Sequence, residues 1–310
     1  MNKLVTIVTP SYQQGDFIEE TIRSIRLQYY RPIEHIIVDG GSTDGTVEIL
    51  KKYSVDSTGM DFKWVSEPDR GQPHAVNKGF AMAKGEIIGW LNSDDVYFDR
   101  LVIGRVVREF EKHPEIDIIH GDVAIISEQS GIELFWCLHP YNFTRMLVSS
   151  RISQPTVFMR RCVIEQHKLD ERLLALDFEY WLRISISHRF RHISQILACD
   201  RDQPNRTSQV QRERLLESHE QILRMYKHKP DLNSFYYKLI DFPSRVYYRT
   251  KGLYYLIEFL ARFKRRNELA FNGWIDSSTK VIVRQLTWRI GHHLDMGNLP
   301  NESNIYGSGK

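Results

Sequence analysis

Three apolar runs within the first ninety or so residues show no polar alternation, and helix-period segments separate them. Leu4 to Thr9 (LVTIVT), Glu34 to Val38 (EHIIV) and Glu86 to Leu91 (EIIGWL) are short and rich in β-branched side chains. A strand without a polar face is buried on both sides, which is the signature of a parallel sheet covered by helices. Between the runs, Asp16 to Leu27 places Phe17, Ile18, Ile22, Ile25 and Leu27 at near-helical spacing. Thr43 to Tyr53 restarts a helix with Thr43 as its expected N-cap, Phe62 to Val65 is a further strand, and Ala75 to Ala83 a further helix. The order β-α-β-α-β-α-β requires an α/β sheet with right-handed crossovers.

After Asn92 the pattern changes. A helix is expected over Phe98 to Glu111, short strands over Ile116 to His120, Val123 to Ile126, Glu133 to Trp136 and Pro155 to Met159, and a helix over Asp177 to Ser187. The sheet therefore becomes mixed. From Gln209 the sequence is mostly helix-forming with breaks at Pro230 and Pro243, and from Gly291 it is polar and glycine-rich, as a disordered tail is. The expected division is a sheet-bearing domain over 1–208, a helical extension over 209–290 and a tail over 291–310.

Composition narrows the classes. With 42% hydrophobic residues the chain can bury a substantial core, and 42 Lys and Arg against 39 Asp and Glu leave a charge of +3, which gives no push toward nucleic acid. Cys137, Cys162 and Cys199 are odd in number and widely spaced, which disfavours a disulfide framework or a zinc knuckle and fits a reducing cytosol. The start, MNKLVTIVTPSY, is too short in its apolar run for a signal peptide, and no window reaches the length of a spanning helix. A cytoplasmic protein is expected.

Ligands of an open parallel sheet bind beyond the carboxyl ends of its strands. Three polar clusters fall at such ends: Thr9-Pro10-Ser11-Tyr12, Asp39-Gly40-Gly41-Ser42 and Asn92-Ser93-Asp94-Asp95. They should converge on one crevice. The stretch VDGGSTDGT (Val38 to Thr46) lacks the Lys of a P-loop and the glycine spacing of a dinucleotide fingerprint, so it is either a plain turn or the edge of a nucleotide pocket. The adjacent carboxylates Asp94 and Asp95 call for a hard divalent ion, magnesium or manganese, unless they face solvent as a helix cap.

The segments TPSYQQGDFIEETIRSI, VDGGSTDGT, EPDRGQPHAVNKGFAMAKGEIIGWLNSDD and LDFEYWLRI, in this order, resemble family 2 glycosyltransferases, nucleotide-sugar-dependent enzymes with the A-type glycosyltransferase fold. The resemblance covers roughly the first two thirds of the chain. It implies a Rossmann-like mixed sheet flanked by helices, and a base pocket lined by Thr9, Pro10 and Tyr12. In it Asp39 accepts a hydrogen bond from the base imide, and a carboxylate, being acceptor-only, suits uracil or thymine better than adenine. The resemblance also puts Arg70 near the base and diphosphate, Asp94 at the ribose and Asp95 at a Mn2+ or Mg2+ ion. An exposed pair of Arg70 with Glu67 or Asp69 is the competing reading. Ser93 stands where some members have a further aspartate, which implies a leaner metal site. Leu176 replaces the usual glutamate of the segment written ED-x-x-W, and Asp177 falls at the catalytic-base position, with Glu179 as the substitute.

The implied reaction is direct, inverting sugar transfer, for which one carboxylate suffices: it takes the acceptor hydroxyl's proton while the cation stabilises the departing diphosphate. The acceptor class is a glycan or a lipid-linked sugar, as in surface polysaccharide synthesis. A silent nucleotide-sugar-binding module and a sugar nucleotidyltransferase are the alternatives. Asp95 and Asp177 argue against the first, and the absence of a glycine- and lysine-rich loop after the first strand against the second.

Other features are read more plainly. His120-Gly121-Asp122 is taken as structural and Trp90 and Trp181 as core, while the stretch Ile152 to Arg161 resembles a family strand near the acceptor, implying a sugar contact for Gln154. SRVYYRTKGLYYLIEFLARFKRRNE (Ser244 to Glu268) joins an apolar helical stripe to basic residues. It suits either a membrane interface, at the inner face of the cell membrane, or packing on the catalytic domain or on a second copy.

Overall fold

The computed structural model describes residues 2–55, 60–136, 141, 143, 146, 152–203, 206 and 210–226. The elements in chain order are β1 (Val5–Ser11), α1 (Ile18–Arg26), β2 (Ile33–Asp39), α2 (Thr46–Ser54), β3 (Asp61–Ser66), α3 (Gln72–Met82), β4 (Ile87–Trp90), β5 (Val96–Tyr97), α4 (Val102–Lys112), β6 (Ile118–Ile126) and β7 (Ile132–Trp136). A 3-10 turn (Gln154–Thr156) then leads to β8 (Phe158–Arg160), α5 (Arg161–Gln166), α6 (Leu176–Ile184), β9 (Phe190–Arg201) and α7 (Arg212–Met225). Among the described residues the sheet order is β3-β2-β1-β4-β8-β6-β9-β5, with β7 beside β6.

The first four strands are parallel, in register Ser11 with Asp39 and Asp39 with Ser66, and Val8 with Trp90. β8 runs antiparallel to β4 and β6, and β9 runs parallel to β6, so the sheet is mixed from β8 onward. Both faces are apolar because both are covered. Val8, Ile88 and Ile118 face Val76 and Phe80 of α3, Trp181 of α6 and Ile222 of α7, whereas Val5, Ile7, Ile87 and Ile119 face Ile25 of α1 and the α4 stripe. That stripe, Val102, Ile103, Val106, Val107 and Phe110, is buried, at about 1.5–3 kcal/mol per large side chain. α3 lies so close to β1 that a Cβ on Gly79 would come within 2.3 Å of Val8 Cγ1, which requires glycine there.

Several boundaries differ from the sequence reading. Thr43 does not cap α2: the N-cap position is Gly45, and Asp44 just before it accepts from Thr46 N at 3.1 Å and Thr46 Oγ1 at 2.6 Å through Oδ1. Gly45, at φ +97°, makes the left-handed entry that allows this. Thr43 instead braces Gln13, at 3.2 Å from both amide atoms. The helix after Asn92 starts at Val102, since Val96 and Tyr97 are drawn into pairing with Cys199 and Ala198. The two strands expected over 116–126 are one, with an irregular register against β9 at Gly121–Val123. β9 itself and α5 were not expected. Of the C-terminal elements, α7 is described, while the amphipathic stretch 244–268, the tail 291–310 and Cys137 lie outside the described residues. No described helix is long and apolar enough to cross a membrane, and Cys162 and Cys199 are free thiols.

Candidate active site

The carboxyl ends of β1, β2, β3 and β4 lie side by side, so the three polar clusters do converge on one edge. At its β2 end, Asp39 is fully buried (0% exposed) and well supplied with donors. Its Oδ2 accepts Gly41 N at 3.1 Å, Ser42 N at 2.9 Å and Ser66 Oγ at 2.6 Å, and its Oδ1 accepts Ser42 Oγ at 2.5 Å. Gly41, at φ +84°, folds the turn back so that its own and the next amide reach this carboxylate. Tyr12, 61% exposed, stands over the turn: a Cβ on Gly40 would lie 3.1 Å from Tyr12 Cδ2 and 3.2 Å from Asp69 Oδ2. Tyr12, Asp39 and the glycine turn thus form one wall, open to solvent at the tyrosine. Thr9 is buried and turned inward, 3.0 Å from His35 Nε2, and Pro10 is buried within β1, so both support this wall from behind. Burial lowers the His35 pKa to about 3, keeping that contact neutral.

The acidic end lies beyond β4. Asp95 is 4% exposed, and its Oδ1 accepts the main-chain N–H of Arg201 at 3.0 Å. Burial, then the nearby Asp94 and Asp200, push its pKa well above the usual carboxylate range. Asp94 Oδ2 accepts Gln203 Nε2 at 2.7 Å. Asp200, raised to about 6 chiefly by burial, is paired with Arg206 at 3.0 Å. Sequence reasoning missed Asp200, Arg201, Gln203 and Arg206. The signal was there, since CDRDQ (Cys199 to Gln203) is another polar cluster at the end of a buried strand. Among the described residues no three His, Cys, Asp or Glu side chains are grouped to hold an ion. The donor set suits a hard divalent cation that takes one or two carboxylates from protein and its remaining oxygens from phosphate and water.

Asp177 sits in the first turn of α6, partly exposed. Burial raises its pKa, opposed by the N–H of Phe178 and by the charge of His219 on α7. α7 is fastened there: Ala175 N donates to Ser218 Oγ at 3.2 Å, and the His219 ring meets Phe178 edge-on at 4.8 Å. Glu179 is engaged otherwise, buried and bound through both oxygens to Arg183 at 2.8 and 3.0 Å. It is occupied as an ion pair, whereas Asp177 is partly exposed. Trp181, one turn after Asp177, packs on Trp90 with ring centroids 6.4 Å apart, which ties α6 to the acidic end; both rings are core. Gln154 Nε2 donates to Trp90 O at 2.6 Å at the end of β4.

Arg70 is 69% exposed and pairs with Glu171, at 3.0 Å from Nε and 2.8 Å from Nη2, not with Glu67 or Asp69. His120 is buried, its pKa lowered to about 3 by burial, and its ring lies 5.1 Å from His192, which is itself 2.9 Å from Asp122. A neutral packed imidazole fits the structural reading.

The glycosyl transferase family 2 model matches residues 6–163, just over half of the chain and, but for Val5, the whole of the β1 to β8 scaffold that carries Asp39, Asp94 and Asp95. The chain belongs to that family. Among curated relatives, the glycosyltransferase GlyG of Streptococcus pneumoniae is 30% identical over 136 residues, 44% of either chain. The putative teichuronic acid biosynthesis glycosyltransferase TuaG of Bacillus subtilis is 39% identical over 92 residues, 30% of this chain and 36% of that one. The matched stretches thus span less than half of these relatives. Among solved structures, the mannosyltransferase PcManGT from Pyrobaculum calidifontis, in complex with GDP-Man and Mn2+, superposes with a TM-score of 0.56 at 17% identity, covering 97% of this chain and 77% of that one. S. aureus TarS 1–349 in complex with UDP gives 0.55 at 18%, covering 75% and 68%. At such identities the likeness is one of fold, and the fold is the A-type glycosyltransferase fold.

Proposed function

We propose that this chain is an inverting glycosyltransferase that moves a sugar from a nucleotide-sugar donor to a glycan or lipid-linked acceptor in surface polysaccharide synthesis. A UDP-sugar is favoured, with dTDP- and GDP-sugars as the alternatives. The observation that carries the reading is the placing of four carboxylates: Asp39 at the end of β2, Asp94 and Asp95 past β4, and partly exposed Asp177 at the start of α6, a helix packed on the end of β4 through Trp181 and Trp90.

Tyr12 and Asp39 receive the base. The carboxylate, fixed by the Ser42 and Ser66 hydroxyls, accepts the base imide and offers it no donor. Asp94 takes the ribose, and Asp95 a Mn2+ or Mg2+ ion, which supplies positive charge to the departing diphosphate. Arg70, a long forked cation at the rim, can exchange Glu171 for phosphate oxygens. Asp177 accepts the proton of the attacking hydroxyl; its raised pKa makes it a better base than an ordinary aspartate. The only other carboxylate on this helix, Glu179, is bound by Arg183, which supports Asp177 as the single base of an inverting displacement. Thermal unfolding of the full chain with a panel of nucleoside diphosphates and nucleotide sugars, each with and without manganese, tests the reading. A manganese-enhanced shift is expected with uridine nucleotides, and no shift with any nucleotide defeats the proposal.

A further inference from the structure

Arg201, the last residue of β9, has a fully buried side chain whose bonds reach three distant parts of the chain. Nε donates to the main-chain oxygen of Asp94 at 2.8 Å. Nη1 donates to Ser127 O at 3.1 Å, Glu128 O at 2.9 Å and Ser130 Oγ at 2.8 Å, all in the turn between β6 and β7. Nη2 donates to Glu20 Oε2 of α1 at 2.6 Å, an oxygen that Ser130 Oγ also reaches at 2.6 Å. The Phe17 ring lies beneath the guanidinium, 5.0 Å from its carbon. Ser130 is held at φ +62°, a left-handed conformation uncommon for a residue other than glycine. The backbone of the same arginine completes the arrangement, since its N–H is the one that Asp95 Oδ1 accepts.

One residue therefore grips both members of the acidic pair, Asp94 by its carbonyl and Asp95 by its carboxylate. Stability alone is a poor reason for such an arrangement, because burying an arginine costs several kcal/mol and apolar packing would serve as well. What a buried guanidinium supplies is a rigid planar fork that fixes several oxygens at set angles, which a lysine cannot do.

We propose that Glu20, Ser130 and Arg201 form a positioning triad that fixes the Asp94–Asp95 spacing, and through it the affinity of the site for a divalent cation bound together with a nucleoside diphosphate. The triad acts through the acidic pair and does not touch the ligand. This inference rests on the functional reading above for the identity of that ligand.

The test uses the full chain as wild type, Arg201→Lys and Glu20→Gln. Free Mn2+ is followed by electron paramagnetic resonance in the presence of saturating UDP and, in parallel, GDP, and nucleotide binding in EDTA is measured by calorimetry. Arg201→Lys is expected to weaken Mn2+ binding about tenfold or more, and Glu20→Gln about threefold, in the range seen when groups behind metal ligands are altered. Nucleotide affinity in EDTA should stay within about twofold, because the Asp39 contacts are untouched. Variants folded at the assay temperature that bind Mn2+ as tightly as wild type overturn the proposal. Should Arg201→Lys fail to fold, unchanged Mn2+ affinity in Glu20→Gln overturns it by itself. Wild type that binds a nucleotide but no Mn2+ overturns the triad's role and leaves the nucleotide reading standing, whereas wild type that binds neither nucleotide removes both.

Discussion

Asp39 and Asp95 are both buried aspartates at the carboxyl edge of the same parallel strands, and their surroundings differ in kind. Asp39 receives four hydrogen bonds, from Gly41, Ser42 and Ser66. Asp95 is bonded to the Arg201 amide and has Asp94 and Asp200 as like-charged neighbours. One carboxylate is fixed by donors of its own chain, three of them on Oδ2, and keeps accepting capacity on Oδ1. The other is bordered by like charges that Arg206 offsets only in part, a balance that supports the cation site proposed above. Asp177 is a third case, partly exposed and raised in pKa by burial, and it sides with Asp95 as a group whose ionisation the fold does not favour.

The comparison can be broken at each of these positions. Asp177→Asn is expected to lower transfer, read as nucleoside diphosphate release, by about 10²–10⁴-fold, with nucleotide binding retained; full turnover would remove Asp177 from the chemistry. Its pH dependence has a definite sign. The base works when deprotonated, so the wild-type rate falls on acidification with a midpoint above the ordinary 3.8. Because the folded-state pKa lies above the unfolded one, the folded protein holds this proton longer, and stability declines as pH rises from 3.8 through the folded value. Asp177→Asn should accordingly melt no lower than wild type at neutral pH.

Asp95→Asn comes next, with an activity loss of about 10²–10³-fold and, in metal-free buffer, an unchanged or higher melting temperature, since it removes a buried charge among like charges. Asp39→Asn should do the reverse: it turns an amide N–H toward the donors of Gly41 and Ser42 and costs about 2 kcal/mol in urea unfolding. Equal unfolding midpoints for these two variants would show that the two ends do not differ as described. At the α2 entry, Asp44→Ala is expected to cost about 1 kcal/mol, more than Thr43→Ala, whose side chain braces Gln13 instead. Arg70→Ala should change stability by no more than about 0.5 kcal/mol, as exposed pairs do, so any larger loss in donor affinity reports a direct contact with the nucleotide.

Much of this was legible in the sequence. Runs such as LVTIVT and EHIIV could bury both faces only inside a covered parallel sheet, and the polar clusters that end them had to meet at one edge. β9 was not legible, because FRHISQILACDR mixes exposed polar residues with a buried apolar stretch and follows neither alternation nor a continuous apolar run. β5 was hidden for another reason: two residues become a strand because β9 is there to pair with them. Arg201 was not singled out, since each of its partners, at positions 20, 94 and 127–130, is remote along the chain. The competing reading of Arg70 paired it by local proximity with Glu67 or Asp69, and its partner Glu171 lies a hundred and one residues away.

The sequence by itself determined the parallel βα scaffold, the convergence of the Tyr12, Asp39 and Asp94–Asp95 clusters, and the family, because periodicity and strand-end chemistry are local properties that neighbours in the chain enforce. Tertiary structure alone decided which carboxylates are fixed by several donors and which are bordered by like charges, that Glu179 is held in an ion pair while Asp177 is partly exposed, and that a buried arginine holds the acidic pair. Those outcomes depend on burial and on partners brought from distant segments, and a carboxylate's charge balance is set by what surrounds it in space.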